Sequence, residues 1–172
     1  FQTVAEAANE LARQGLGVEE TLKRTENALI LTRIAGMDAA DAVMALTAVI
    51  NGFSKAAYES SEIVSKMAAV DAAFAVSSAD LAEAIKRVGS TASTAGVSLE
   101  ELLGIVAATQ QTTARGGAVI GNSLKTIFTR MQRPRVITAL KALGVATEDA
   151  SGSSISLMQI MSNLAKTYDT LS

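Results

Sequence analysis

The sequence contains no cysteine, no histidine and no tryptophan. Without cysteine the chain can form neither a disulfide nor a thiol nucleophile. Without histidine it also lacks the commonest general base and a principal ligand of transition metals. We therefore expect no catalytic, cofactor-binding or metal-binding residues, and we interpret the chain as a protein that is not an enzyme.

Proline is almost absent as well, since Pro134 is the only one among 172 residues, whereas 32 residues are alanine. Alanine is the best helix former, and proline is excluded from helix interiors. No segment alternates apolar and polar residues over the length of a strand. These features predict an all-α fold, built as a bundle of amphipathic helices.

Long apolar runs and targeting signals are also missing. No window reaches the ~18 uninterrupted apolar residues of a membrane-spanning helix. The first residues lack the basic segment of a signal peptide, and the chain does not begin with methionine, so we expect a fragment of a longer protein. The mean hydropathy of +0.30 is nevertheless high, which favours an apolar helix face that a partner covers.

Glycines and capping residues divide the N-terminal half into helices. The first two of nine predicted helices cover residues 4–14 and 18–35. Gly36 suits the left-handed position that ends a helix, and Asp38 suits the cap of the third helix. The fourth helix is expected to bury one stripe, formed by Ile63, Met67, Val70 and Phe74.

Similar signals mark the helices of the C-terminal half. Ser77-Ser78 is expected to cap the fifth helix. Ser98 and Glu101 fit a capping box, in which the hydroxyl accepts from the Glu101 amide and the carboxylate accepts from the Ser98 amide. Pro134 suits the first turn of a short helix that reaches residue 143.

The sequence also contains an internal echo at an offset of 81 residues. Each copy has a glycine stop, an acidic first turn, an amphipathic helix, a glycine turn and a second helix. The simplest account is one αα-hairpin used twice, formed by the second and third helices and by the sixth and seventh. The alternative is that any two amphipathic hairpins align at some offset. Residues 1–77 are predicted to be a helical hairpin region and residues 78–172 a helical core region, unless both belong to one continuous domain.

The charge is distributed unevenly along the chain. Residues 102–147 contain six basic residues and no acidic residue, whereas the rest contains nine basic and all seventeen acidic residues. One interpretation is a patch that docks an acidic partner, formed by Arg115, Arg130, Arg133 and Arg135. The alternative is that these arginines complement helix dipoles and pair with the chain's own acidic half.

Two further features lie within the acid-free stretch. Leu124, Ile127 and Met131 form an apolar stripe, which predicts a buried seam within one chain or between chains. The glycines between Arg115 and Gly121 precede a helix N-terminus, where an anion could bind. Because the motif lacks a preceding strand and a Gly-Lys-Ser/Thr sequence, we favour a tight turn with close helix contact.

The order of these motifs resembles the tape measure, or minor tail, proteins of long-tailed bacteriophages. The resemblance is best from Ser78 to Lys166. It rests on an ordered set of motifs, namely Gly96-Val-Ser-Leu-Glu-Glu101, Arg115-Gly-Gly-Ala-Val-Ile-Gly121, the apolar helix from Leu124 to Pro134, Leu143-Gly144-Val145, Asp149 and Gly152.

The resemblance implies a structural virion protein. Members of that family fill the lumen of the tail tube, set tail length and take part in genome delivery. It implies self-association, contacts with tube, tip and chaperone proteins, transient contact with the host membrane, synthesis in the host cytoplasm and a final location in the tail. It transfers no catalytic residue, and sequence-specific binding of nucleic acid is not expected.

Two other classes of function fit the same composition. Alanine- and glycine-rich amphipathic helices suit a membrane-active or pore-forming module that refolds against lipid. They also suit a cellular helical scaffold or adaptor, if the internal echo were one of many repeats.

Overall fold

The computed structural model describes residues 2–171, and within this range it confirms the all-α prediction. The described residues form nine α-helices: α1 (Gln2–Ala12), α2 (Val18–Ala35), α3 (Ala39–Gly52), α4 (Ser60–Ala73), α5 (Ser78–Thr94), α6 (Leu99–Thr113), α7 (Gly117–Met131), α8 (Pro134–Ala142) and α9 (Leu157–Leu171). A short 3₁₀ turn, Ser54–Ala56, follows α3. The β-structure of this range is a single isolated bridge between Glu148 and Ser154.

The predicted caps lie where the sequence indicated. The carboxylate of Asp38 accepts a hydrogen bond of 2.8 Å from the Asp41 amide. Ser98 and Glu101 form a complete capping box, with the Ser98 amide donating to the Glu101 carboxylate over 2.8 Å. Pro134 is the first residue of α8. Local side-chain chemistry therefore defines the starts of these helices.

The helix ends agree with the predicted ones to within two residues, since α1 ends at Ala12 and α8 ends at Ala142. One predicted detail is wrong. Phe74 does not join the buried stripe of α4, since it follows the helix in extended conformation and is exposed. The helix ends there because the Asp71 carboxylate accepts hydrogen bonds of 2.7 Å from both the amide and the hydroxyl of Ser78. These bonds hold the start of α5 close to the end of α4.

Helix α5 lies at the centre of the bundle and packs mainly against α3 and α7. Helices α1 and α2 pack against each other and against α3, and α2 also contacts α4 and α5. One buried apolar cluster runs from Ala7 in α1 to Phe128 in α7 and includes Leu157 at the start of α9. A second, small cluster joins Leu140 of α8, Val145 and Ile160 of α9. The main cluster draws on residues before and after position 77, and the division into two regions stays a prediction.

Helices α5 and α7 approach each other closely through two glycines. A Cβ atom on Gly117 would lie 1.9 Å from the carbonyl oxygen of Asp80, and one on Gly121 would lie 2.8 Å from that of Ala84. A real Cβ cannot occupy either position without moving one helix away from the other. The prediction that residues 115–121 form a tight turn with close helix contact is therefore confirmed.

The two hairpins begin at equivalent positions of the 81-residue echo, but their turns lie at different positions. Gly15 and Gly96 both adopt the left-handed conformation, and α2 and α6 begin 81 residues apart. The left-handed residues that end these helices, Gly36 and Ala114, are 78 residues apart. The turn of the second hairpin thus comes three residues earlier than the echo implies, and duplication of the hairpin stays a prediction.

The close contact between α5 and α7 predicts a strong dependence of stability on Gly117. Replacing Gly117 with alanine should lower the free energy of unfolding by more than about 2 kcal/mol, because overpacking forces the backbones apart. Urea unfolding followed by circular dichroism measures this change.

Gly104 in α6 provides the matched control. A Cβ there meets no atom within 4 Å, so Gly104→Ala should raise the free energy of unfolding by about 0.5–1 kcal/mol through helix propensity alone. Equal unfolding midpoints for Gly117→Ala and the wild type would contradict the close contact.

Candidate interaction surface

The N-terminus of α7 already holds an anion that the chain itself supplies. The carboxylate of Asp80 accepts hydrogen bonds of 2.6 Å from the Gly117 amide and 2.7 Å from Nε2 of Gln110. It also accepts one of 3.1 Å from the Ser77 hydroxyl. Because this carboxylate occupies the position that a bound anion would take, the glycine motif serves helix packing.

The environment of Asp80 favours its charged form. Burial by itself would raise the pKa of this carboxyl, but the hydrogen bonds from Gly117, Gln110 and Ser77 hold it below its ordinary value. The positive end of the α7 dipole acts in the same direction. Asp80 is therefore a charged connection between α5, α6 and α7.

The four arginines of the predicted docking patch are all exposed, but they do not form one cluster. Arg115 precedes α7, whereas Arg130, Arg133 and Arg135 surround its C-terminal end, roughly 20 Å away along the helix. None of the four lies within 4 Å of a carboxylate in the described part of the chain. The ion pairs of the alternative interpretation are thus not found there, but Arg130 does lie in the last turn of α7, where a cation complements the helix dipole. Docking stays a prediction.

The predicted seam residues have different environments. Leu124 is buried and Met131 is partly buried, whereas 42% of Ile127 is exposed. The face of α7 that packs inside the chain is centred instead on Ile120, Leu124 and Phe128. A seam that includes Ile127 therefore does not form within this chain, and a seam between chains stays a prediction.

Ile127 lines an apolar groove of about 440 Å³ between α7 and α9. Its other lining residues are Met131, Met161, Leu164, Ala165, Tyr168 and Asp169. The apolar periodicity of α7 identified one wall of this groove. The opposite wall could not be placed from sequence, because it depends on how α9 returns across the bundle.

A second cavity of about 590 Å³ lies near the ends of α5 and α7 and the loop before α9. Polar and apolar groups mix in its lining, which includes Gln132, Glu148 and Ser154. The Thr147 hydroxyl also lines it, is buried and has no hydrogen-bond partner among the described residues. Sequence reasoning missed this cavity because its walls come from segments far apart in the chain.

Helix α2 carries an exposed apolar ridge that sequence reasoning also missed. Its members recur every four residues along the outer surface, namely Val18, Leu22, Ile30 and Ile34, with Glu26 in the same row. Val18 is 79% exposed and Leu22 is 64% exposed. The inner face of the same helix buries Ala28 and Leu31. The presence of apolar residues on both faces of α2 was the feature of the sequence that indicated this ridge.

Among the described residues, no group of three or more acidic side chains is placed to hold a metal ion. No described helix combines the length and the hydropathy needed to cross a membrane.

Comparison with known proteins places the chain among phage proteins. The family described as phage-related minor tail protein matches residues 1–172. The chain is also similar to the tape measure protein of Pneumococcus phage Dp-1, with 26% identity over 162 residues, which cover 93% of this chain and 14% of that relative. The chain thus spans about one seventh of the length of this relative. No solved structure matches the chain.

The contacts of Asp80 predict how stability depends on residue 80 and on pH. Asp80→Ala leaves the Gly117 amide and the Gln110 side chain without an acceptor, so we expect a loss of about 1–3 kcal/mol at neutral pH. The folded-state pKa of Asp80 lies below its unfolded value, so its contribution is present above the unfolded pKa and is lost as pH falls through the folded pKa.

The difference between wild type and Asp80→Ala should accordingly shrink as pH is lowered below about 4. Urea unfolding at a series of pH values measures it. Glu6→Ala, which removes an exposed carboxylate, is the control and should change stability by less than about 0.5 kcal/mol. A difference that is independent of pH would contradict the proposed charge on Asp80.

Proposed function

The chain belongs to the family of phage-related minor tail proteins, and we propose that it is a segment of a tape measure protein. In this role the parent protein occupies the tail tube, sets the length of the tail and takes part in genome delivery. The match of the family over all 172 residues supports this proposal, together with the similarity to a phage tape measure protein.

The proposed role is structural rather than catalytic. The acidic pair at residues 100 and 101 serves packing, since Glu101 completes the capping box and Glu100 binds Lys66 over 2.8 Å. Glu100 also accepts a hydrogen bond of 2.8 Å from the Tyr58 hydroxyl, which joins α6 to the segment before α4. Both acidic residues thus stabilise a helix end or a contact between helices.

The proposed location and partners follow from the same role. The protein is made in the host cytoplasm, associates with itself and is enclosed in the tail with tube, tip and chaperone proteins as its partners. Contact with the host membrane would then accompany delivery of the genome. The exposed apolar ridge of α2 and the groove between α7 and α9 are surfaces that such an assembly would cover.

Duplication of residues 1–172 within the parent gene tests the ruler function. Tails should become longer, because a ruler with an added segment stops tube growth later. Electron microscopy of purified tails measures the change. The tail should lengthen by about 40 Å if the added segment is a folded bundle, because this is the diameter of one bundle. It should lengthen by roughly 260 Å if the helices of the segment are laid end to end.

Parental phage grown in parallel and phage that lack the segment provide the comparison. Deletion should shorten the tail by the same step that duplication adds. Tails of parental length from both mutants would overturn the ruler proposal for this segment.

The arginines at the end of α7 are proposed to dock against an acidic surface during tail assembly. A triple Arg130/Arg133/Arg135→Ala variant of the parent protein should fold normally but give fewer complete tails. Each lost contact is worth at most about 1 kcal/mol, and the wild-type interaction should weaken with added salt.

Circular dichroism of the variant and counts of complete tails measure these effects. Arg13→Ala is the control, because it removes an exposed arginine that lies outside the predicted docking patch. Normal tail counts from the triple variant would show that the three arginines are ordinary surface charges.

A further inference from the structure

The exposed ridge on α2 has the form of a surface that packs into a groove. Its four apolar side chains follow the four-residue spacing that produces a continuous row along a helix. Glu26 lies within this row, and Glu19 lies beside its first turn between Val18 and Leu22. The ridge is therefore apolar at four of its five positions, with Glu26 at its centre and Glu19 beside its first turn.

The groove between α7 and α9 has the complementary form and charge. Ile127 and Met131 line it, and Arg130 lies one turn after Ile127 on the same helix. Arg133 and Arg135 follow directly at the start of α8. Each surface also carries one charge of the minority sign, since Arg33 lies beside the ridge and Asp169 lines the groove.

The ion pairs within the chain leave uncompensated charge of opposite sign near the two surfaces. Most carboxylates form an ion pair with lysine or arginine, or accept hydrogen bonds in a helix cap or a turn. The carboxylates that have no ion pair and no hydrogen bond from the described side chains are Glu6, Glu19, Glu26 and Asp169. Three of these four lie in α1 and α2. Among described basic side chains without an ion pair, most lie in the C-terminal part: Arg115, Lys125, Arg130, Arg133, Arg135 and Lys166. Uncompensated negative and positive charge therefore occupy different parts of the molecule.

The two surfaces do not cover each other within one chain. Helix α5 contacts both α2 and α7, and Leu22 of the ridge and Ile127 of the groove both remain exposed. We propose that the ridge of α2 docks into the α7–α9 groove of a second copy, with Glu19 and Glu26 near Arg130 and Arg133. Such a head-to-tail contact repeats from copy to copy and produces either a closed ring or an open filament.

Two substitutions, each of which blocks one surface, test this contact in the 172-residue chain. Leu22→Asp disrupts the ridge and leaves the groove intact, whereas Ile127→Asp disrupts the groove and leaves the ridge intact. Both side chains are exposed, so neither variant should alter the core. In sedimentation velocity experiments the wild type should associate at concentrations up to about 100 µM, and each variant alone should be a monomer.

An equimolar mixture of the two variants is the decisive sample. It should form a dimer and nothing larger, because one intact ridge then meets one intact groove. Raising the salt concentration from about 0.1 M to about 0.5 M should weaken the dimer at least several-fold, since the Debye length falls by about half. Circular dichroism of each variant verifies that it remains folded.

Met44→Asp and Val119→Asp are controls, because both residues are 45% exposed, close to the 42% of Ile127, and lie outside the ridge and the groove. Both should associate as the wild type does. A monomeric wild type, a variant that still associates alone, or a mixture that stays monomeric would each overturn the head-to-tail contact. These measurements do not involve the tail, so they are independent of whether the parent protein measures length.

Discussion

The close contact between α5 and α7 positions the rest of the C-terminal half. Because Gly117 and Gly121 present no side chains, the backbone of α7 lies directly against Asp80 and Ala84. The Asp80 carboxylate then reaches the first amide of α7 and the side chain of Gln110, so α6 is held in the same arrangement. The Asp80 carboxylate and the two glycines, which have no side chain, thus determine the direction of α7.

This contact also explains which part of the fold could be predicted from sequence. Caps and helix ends depend on neighbouring residues, and Asp38, Ser98 with Glu101, and Pro134 were identified on that basis. The inward face of α7 depends on a partner helix instead. Apolar periodicity alone centred that face on Leu124, Ile127 and Met131. The close approach at the glycines rotates the contact by roughly 40°, so that Phe128 is buried and Ile127 faces the groove.

The candidate surfaces were predictable to different degrees for a similar reason. Counting charges along the sequence revealed the acid-free stretch, but it could not show which acidic groups remain available. In the structure, Lys86 alone engages both Asp41 and Glu83, and Lys66 engages both Glu62 and Glu100. Only the folded arrangement shows that the remaining uncompensated carboxylates gather mainly in the first two helices. The ridge of α2 was not identified from sequence, because apolar residues occur on both faces of this helix and the sequence does not show which face packs inside the bundle.

The distribution of packing within the bundle is consistent with a unit that is rigid in the middle and adaptable at one end. Helix α5 contacts neighbours on several sides, whereas α9 packs with the apolar side chains of one face. It is also held by a backbone hydrogen bond of 3.0 Å from Leu157 to Ala95 and by one of 3.0 Å from the Asn163 amide side chain to the Ala146 carbonyl. Fewer buried contacts imply a lower free energy of local opening. The α7–α9 groove is therefore formed by one firmly held wall and one loosely held wall. Such a groove can adjust its width to an incoming helix at little cost, while the firmly held wall preserves the orientation of the two units that meet there.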